Sequence, residues 1–447
     1  MKLAEYNQFL LFFKRNFPIL CIFILTLAFS VCGDASKAPF EVYNVEMLKK
    51  VGTETTRDGW TLSAHYKLTA NVNMSGKEFT AIGTKSAPFT GSFDGNGKKI
   101  IGLTINNPSG NYQGMFGCIR GKKAVVKNLG LENVNITGKE YAGGVAGDIS
   151  SGSVIKNCYV TGDVKGEKYI GGVAGNNHKG TIDNCYTAGS VKSSSPYGAN
   201  AGGVVGANNR GTVKNCYTTG SVKGSSDNTG GVAGWNKGTI KNCYVTGDVE
   251  GGWTVGGIVG ENNFHSSIIK NCYVTGDVKG GWNVGGVAGW NEGTIKNCYV
   301  TGSVKSSEGY AGGVAGKTVT GSTIRNCVAL SKNVTTAISR SNIGRVTGAN
   351  IGRVAGTNNG RLFSNYARRD MTMINASGRV LSITSDRKGL HGADIVRGRT
   401  ATDSSWWTSV TWSKRAPWDF NTIWNPAHGD RLPTLKGAGG RQNPTVP

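Results

Sequence analysis

Residues 285–302 read Gly285-Gly-Val-Ala-Gly-Trp-Asn-Glu-Gly-Thr-Ile-Lys-Asn-Cys-Tyr-Val-Thr-Gly302, and near-copies of this stretch recur through the middle of the chain. An Asn-Cys pair marks each copy, at Cys158, Cys185, Cys216, Cys243, Cys272, Cys298 and Cys327, giving spacings of 27, 31, 27, 29, 26 and 29 residues. A period this regular means stacked units that share one continuous core. Degenerate copies flank the run: Leu129 takes the cysteine slot after Asn128, and Asn365 takes it before Tyr366.

From Cys298 to Lys305, alternate residues divide into Cys, Val, Gly, Val and Tyr, Thr, Ser, Lys, which is the strand period of two. The first set is expected to face a core and the second solvent. Abundant Gly and β-branched residues, with no 3.6-residue apolar period, exclude helix. Hairpin folds would alternate strand roles, whereas here like residues recur at like positions. The copies are therefore expected to lie in register as parallel coils about 4.8 Å apart. Glycines should mark the corners, supplying positive φ and close backbone approach. The Asn of each Asn-Cys pair tolerates left-handed backbone next best, and stacked Asn amides can hydrogen-bond up the column. The cysteines form one inward file; parallel side chains a coil apart exceed the roughly 3.8 Å between Cβ atoms that a disulfide prefers, so the file reads as small buried thiols. No Cys-x-x-Cys or Cys/His spacing suits zinc, and no cofactor motif occurs.

The chain has 447 residues, 69 of them Gly, about twice the usual share of about 7%. Collagen is excluded, since Gly does not recur every third residue and Pro is only 10. An apolar share of 38% argues against disorder. The net charge of +23 has two sources: lysines at repeating positions, and 14 of the 18 arginines between Arg325 and Arg441, among them Arg345, Arg353, Arg361, Arg368 and Arg369. Lys14 and Arg15 precede an apolar run from Phe17 to Val31, the length of a secretory signal. Residues 1–35 are thus expected to direct export, with cleavage after Ala28-Phe29-Ser30 or Gly33-Asp34-Ala35, lipidation of Cys32, or retention as an anchor left open. A further cap and first coils are expected over 36–112, repeats over 113–370, and a C-terminal cap with a loose tail over 371–447. Phe40 to Val51 should form a strand and a short helix covering the first coil. Trp406, Trp407, Trp412, Trp418 and Trp424 should pack as a plug at the other end.

The stretch 285–302 closely resembles the GLUG motif, a bacterial repeat of secreted and surface proteins. Upstream, Tyr66 to Gly76, Phe79 to Gly83, Phe89 to Gly97 and Ile101 to Ile105 are similar to the lead-in of such proteins, and Trp418 to Trp424 with Leu432 to Leu435 to their closing segment. The resemblance implies an all-β, right-handed parallel β-helix on an exported protein. Some family members are immunoglobulin A peptidases with a metalloprotease domain; this sequence has five scattered histidines and no His-Glu-x-x-His, so that activity is not carried over.

The acids of the repeats are few, and Asp163, Asp248 and Asp277 take a position filled elsewhere by Ser190, Ser221 and Ser303, a solvated face. The outward set offers more: Tyr159, Tyr186, Tyr217, Tyr244, Tyr273 and Tyr299 form one file, with Thr and Lys files beside it. Such a stripe could stack on sugar rings and attract acidic groups. Trp235, Trp253, Trp282 and Trp290 are read as loop residues where other coils carry Asn176, Ala207, Glu261 or Lys317, and as ligand-binding candidates. Export and the absence of a nucleic-acid module argue against nucleic acid. The sequence therefore reads as a non-catalytic surface or adhesion solenoid, secreted or on the bacterial envelope, whose partner is a glycan or an anionic cell-surface polymer; membrane attachment would come only through Cys32 or the retained signal. A carbohydrate-active enzyme and a purely structural spacer are the competing classes.

Overall fold

The computed structural model describes residues 38–445, apart from 57–58, 338–350, 376–377, 382, 384, 387, 396–398 and 409–417. The expected export signal with Cys32, and Arg345 and Trp412, lie outside the described residues.

The repeats form a parallel β-solenoid of about twelve coils, all-β apart from three short helices among the described residues. One coil runs through the strands Ile268–Lys270, Tyr273–Val274, Val278–Gly280, Asn283–Gly285 and Ala288–Asn291. Like residues meet in neighbouring coils: Ile240, Ile269 and Ile295 in one column, Tyr244, Tyr273 and Tyr299 in another. The sheet containing the Thr-Ile-Lys strands has twelve members, from Phe40–Val42 to Arg361–Phe363. Its central apolar column and the neighbouring valines are buried, as the period of two requires.

The seven cysteines are buried, free thiols, and Leu129 fills the same slot. Each Sγ–H is satisfied locally, Cys216 donating to the Lys214 carbonyl at 3.0 Å and Cys272 to that of Lys270 at 3.2 Å. The preceding asparagines are all left-handed, with φ of 51–55° from Asn128 to Asn326. Their amides form the expected ladder: Asn242 donates to Asn215 at 3.2 Å, Asn271 to Asn242 at 3.1 Å and Asn297 to Asn271 at 3.3 Å. A second ladder, inside the coil, joins Asn177, Asn208, Asn236, Asn262 and Asn291 at 2.8–2.9 Å.

The glycines do both expected jobs, at different places. Positive φ falls on glycines such as Gly121, Gly152, Gly162, Gly198 and Gly321, while the corner before each cysteine is left to Asn and other repeat glycines permit close approach. At the bend that reads Ala-Gly at Gly189 and Thr-Gly in the next four coils, a Cβ on Gly189, Gly220, Gly247, Gly276 or Gly302 would lie 1.7–2.1 Å from the carbonyl oxygen of the glycine one coil earlier. Successive backbones touch there, and no side chain fits between them.

At the N-terminal end, the strand Phe40–Val42 and the helix Val45–Lys50 appear as expected; the Asn44 side chain caps the helix by accepting from the Met47 N–H at 2.9 Å. The C-terminal plug forms only in part. Thr372–Ile374 and Ala393–Ile395 continue the stacking, around a buried Arg353 that pairs with Asp394 at 2.7 Å. The described remainder, from Ser404 onward, instead folds back along the flank of the solenoid, where Trp406, Trp407, Trp418 and Trp424 pack against the tyrosine file.

Asn271→Gly keeps the left-handed corner but loses two amide bonds, which should cost about 2 kcal/mol at about 1 each. Asn271→Ala should cost about 1–2 kcal/mol more, since it must adopt the left-handed backbone with a Cβ. Urea unfolding of the two variants measures both; equal costs would contradict the assigned corner geometry.

Candidate ligand-binding notch

The six tyrosines do stand on the outer side of their strands, and their rings stack at 4.6–5.0 Å within 2–10° of parallel. They are not, however, one open stripe. Tyr217, Tyr244, Tyr273 and Tyr299 are buried under the C-terminal segment, whose Trp407, Trp418 and Trp424 rings lie 5.9–6.3 Å from that of Tyr299. The hydroxyls of three of them are taken: Tyr244 donates to the Gly439 carbonyl at 2.7 Å and Tyr299 to that of Pro433 at 2.6 Å, and Tyr273 bonds the Gln442 side chain at 3.1 Å. The four are therefore closed to a ligand in this structure. Tyr159 and Tyr186 remain half-buried at the upper end, and Tyr159 donates to Glu132 at 2.7 Å. The correction has a plain cause: strand parity tells which side of a coil a residue leaves from, and says nothing of a distant segment that returns to cover it.

The four tryptophans also separate. Trp235 and Trp290 lie on strands, not loops, in register with Ala207, Glu261 and Lys317. Their surroundings are occupied by the chain's own cations: the Lys317 ammonium sits 4.1 Å above the Trp290 ring, and Lys237 lies 5.8 Å from Trp235 and 4.2 Å from Phe264. The indole N–H of Trp290 donates to Glu292 at 3.2 Å. Trp253 and Trp282 belong to another column, one residue before the Thr254–Gly256 and Asn283–Gly285 strands, with their rings 6.0 Å apart and tilted by 39°.

This second pair lines a notch of about 450 Å³. Gly251, Gly252, Gly280 and Gly281 form its floor, so the corner stays concave for want of side chains. Gly309 occupies the next position of the tryptophan column; a Cβ there would lie 2.0 Å from the Trp282 carbonyl. Trp253 is 60% exposed, an expensive placement for an indole with no packing role. The rim carries Lys279, Lys305, Glu250 and Glu308, and Glu250 is held by Lys223 at 3.1 Å. Two coils before Trp253 stands Tyr197, 80% exposed, which the sequence reading missed. Its signal was there: like Trp253, it follows a Ser/Gly-rich corner.

The model of the GLUG motif matches residues 225–250, 251–279 and 280–305. Residues 225–305 are tandem GLUG repeats. The notch thus sits between the second and third matched GLUG units, which contribute Trp253 and Trp282. Halomucin of Haloquadratum walsbyi is 36% identical over 120 residues, which are 25% of this chain and 1% of that protein. A "Putative Gly-rich membrane protein" of Evansella cellulosilytica is 41% identical over 70 residues, 16% of this chain and 8% of that one. The chain therefore spans a small fraction of either relative. A solved structure from Bacteroides ovatus, of a "putative immunoglobulin A1 protease", shares 18% identity across 91% of this chain and 94% of its own, with a TM-score of 0.38.

Among the described residues, no three His, Cys, Asp or Glu side chains gather into a metal-binding group. The most enclosed carboxylate of the GLUG coils is Glu261, between Trp235 and Trp290. Burial pushes its carboxyl pKa up, against the lowering effect of the Asn263 and Asn228 amides. The folded chain therefore holds this proton more tightly than the unfolded chain, and the stability it contributes is complete at low pH and is lost as pH rises through the raised value. Glu261→Gln should accordingly be more stable than the parent at pH 7 and indistinguishable from it below the ordinary carboxylate range, as read from urea midpoints at both pH values.

Nitration with tetranitromethane, followed by peptide mass spectrometry, should label Tyr197 first and leave Tyr244, Tyr273 and Tyr299 unlabelled. A chain ending at residue 403 should lose that protection; protection that survives the truncation would refute the covering role of the C-terminal segment.

Proposed function

We propose that this GLUG solenoid is a non-catalytic surface or adhesion protein that holds glycans in the Trp253–Trp282 notch. The observation that carries the reading is the paired, tilted indoles above a glycine floor, with exposed Lys and Glu on the rim. Indole faces cover the apolar face of a sugar ring, and charged rim groups exchange hydrogen bonds with its hydroxyls. Trp235 and Trp290 serve less well, since neighbouring lysines already approach them. The rim carboxylates do not form the enclosed, environment-split pair that acid and base catalysis on glycosides requires.

A surface location is supported by the Phe17–Val31 apolar run and by the relative named a membrane protein. No helix among the described residues is long and apolar enough to cross a membrane. In this reading residues 1–35 serve export, and lipid on Cys32 would tether the product.

On a glycan array, Trp253→Ala and Trp282→Ala should each weaken the strongest signals at least about tenfold, the scale of losing one central aromatic anchor. Trp290→Ala, whose ring is covered by Lys317, should leave them unchanged. Full retention of binding by the Trp253 and Trp282 variants would remove the notch as the site and favour a spacer role.

A further inference from the structure

The last residue of the Thr-Ile-Lys strand forms a column in register: Lys214, Lys241, Lys270, Lys296 and Arg325. Lys214 is neutralised by Asp183 at 3.0 Å. The next four cations form no ion pair with a carboxylate among the described residues, although Lys127, earlier in the same column, is paired with Asp94, and Lys99, in another, with Glu132. Side chains one strand spacing apart, about 4.8 Å, repel by on the order of 1 kcal/mol per neighbouring pair even in water. The crowding is visible in Lys296, whose ammonium pKa is lowered by partial burial and by the adjacent Arg325 and Lys270. Beside the cations runs a second outward column, Thr239, Ile268, Thr294 and Thr323, giving a flat strip two residues wide along the solenoid axis.

We propose that the strip formed by Lys241, Lys270, Lys296 and Arg325 binds a linear acidic polysaccharide lying parallel to the solenoid axis. This site is separate from the notch and does not depend on it. A single file of cations about one coil apart suits a polymer with one carboxylate per sugar ring, and the threonine hydroxyls match the ring hydroxyls. Nucleic acid fits less well: duplex DNA presents one charge per about 1.7 Å on two strands, and single strands are held by stacked aromatic side chains, which this strip lacks.

The test uses the full chain and polygalacturonate, with binding measured across a salt series. Lys241→Gln with Lys296→Gln should lower affinity about tenfold or more and flatten the dependence of log K on log salt by more than one unit. Lys122→Gln with Lys123→Gln removes the same charge from exposed positions outside the strip and should change little. Lys241→Arg with Lys296→Arg should keep binding. Thermal melting guards against misfolding, and the Gln variant, relieved of repulsion, should melt no lower than the parent. Equal losses from the two Gln pairs would reduce the effect to net charge and overturn the proposal. Absent polygalacturonate binding would overturn it too, as would duplex DNA binding more tightly through the same lysines.

Discussion

Successive coils are held one strand spacing apart with like residues in register, and this single spacing decides what every side-chain column can do. An amide stacked on an amide at that distance donates to it, so the Asn columns become ladders. Rings stacked on rings lie in van der Waals contact, so the tyrosines form a continuous pile. Thiols approach without the geometry for a disulfide and bond to nearby carbonyls instead. Like charges are forced together, so a lysine column is tolerable only if it reaches solvent or is met by anions. The glycine bend belongs to the same constraint: where the chain turns inward, backbone meets backbone, and any Cβ would push two coils apart.

Much of this was legible from residues 285–302 and their recurrence along the chain. A period of two within the repeat and a period of 26–31 between repeats were enough for strands, coils, the inward cysteines and the left-handed asparagines. Both roles of glycine were legible but not their places, because composition cannot say which glycines need positive φ, such as Gly162 and Gly198, and which need space, such as Gly247. The inner ladder from Asn177 to Asn291 was missed: an Asn after Gly-x reads as a turn residue, and only the three-dimensional register shows it buried.

The candidate site was harder to read for two physical reasons. Columns are set by register, and insertions in the corners shift it, so Trp253 and Trp282 looked equivalent to Trp235 and Trp290 until the pairing was known. Burial of the tyrosines depends on contacts between residues far apart in sequence, such as Tyr244 with Gly439, 195 positions away. Local pattern contains no information on such a pairing. The Trp-rich composition of the C-terminus did announce a buried aromatic cluster, but not the surface against which it would be buried.

That returning segment also changes the mechanics of the solenoid. A stack with only nearest-neighbour contacts can fray one coil at a time from either end. Here one stretch of chain grips tyrosines from four coils, Tyr217 to Tyr299, so the lower coils come apart together or not at all. The grip is also synthesised after every coil it holds. Until it docks, the coils carry a bare aromatic flank, and the arrival of this later segment, rather than completion of the coils, is the step that closes it.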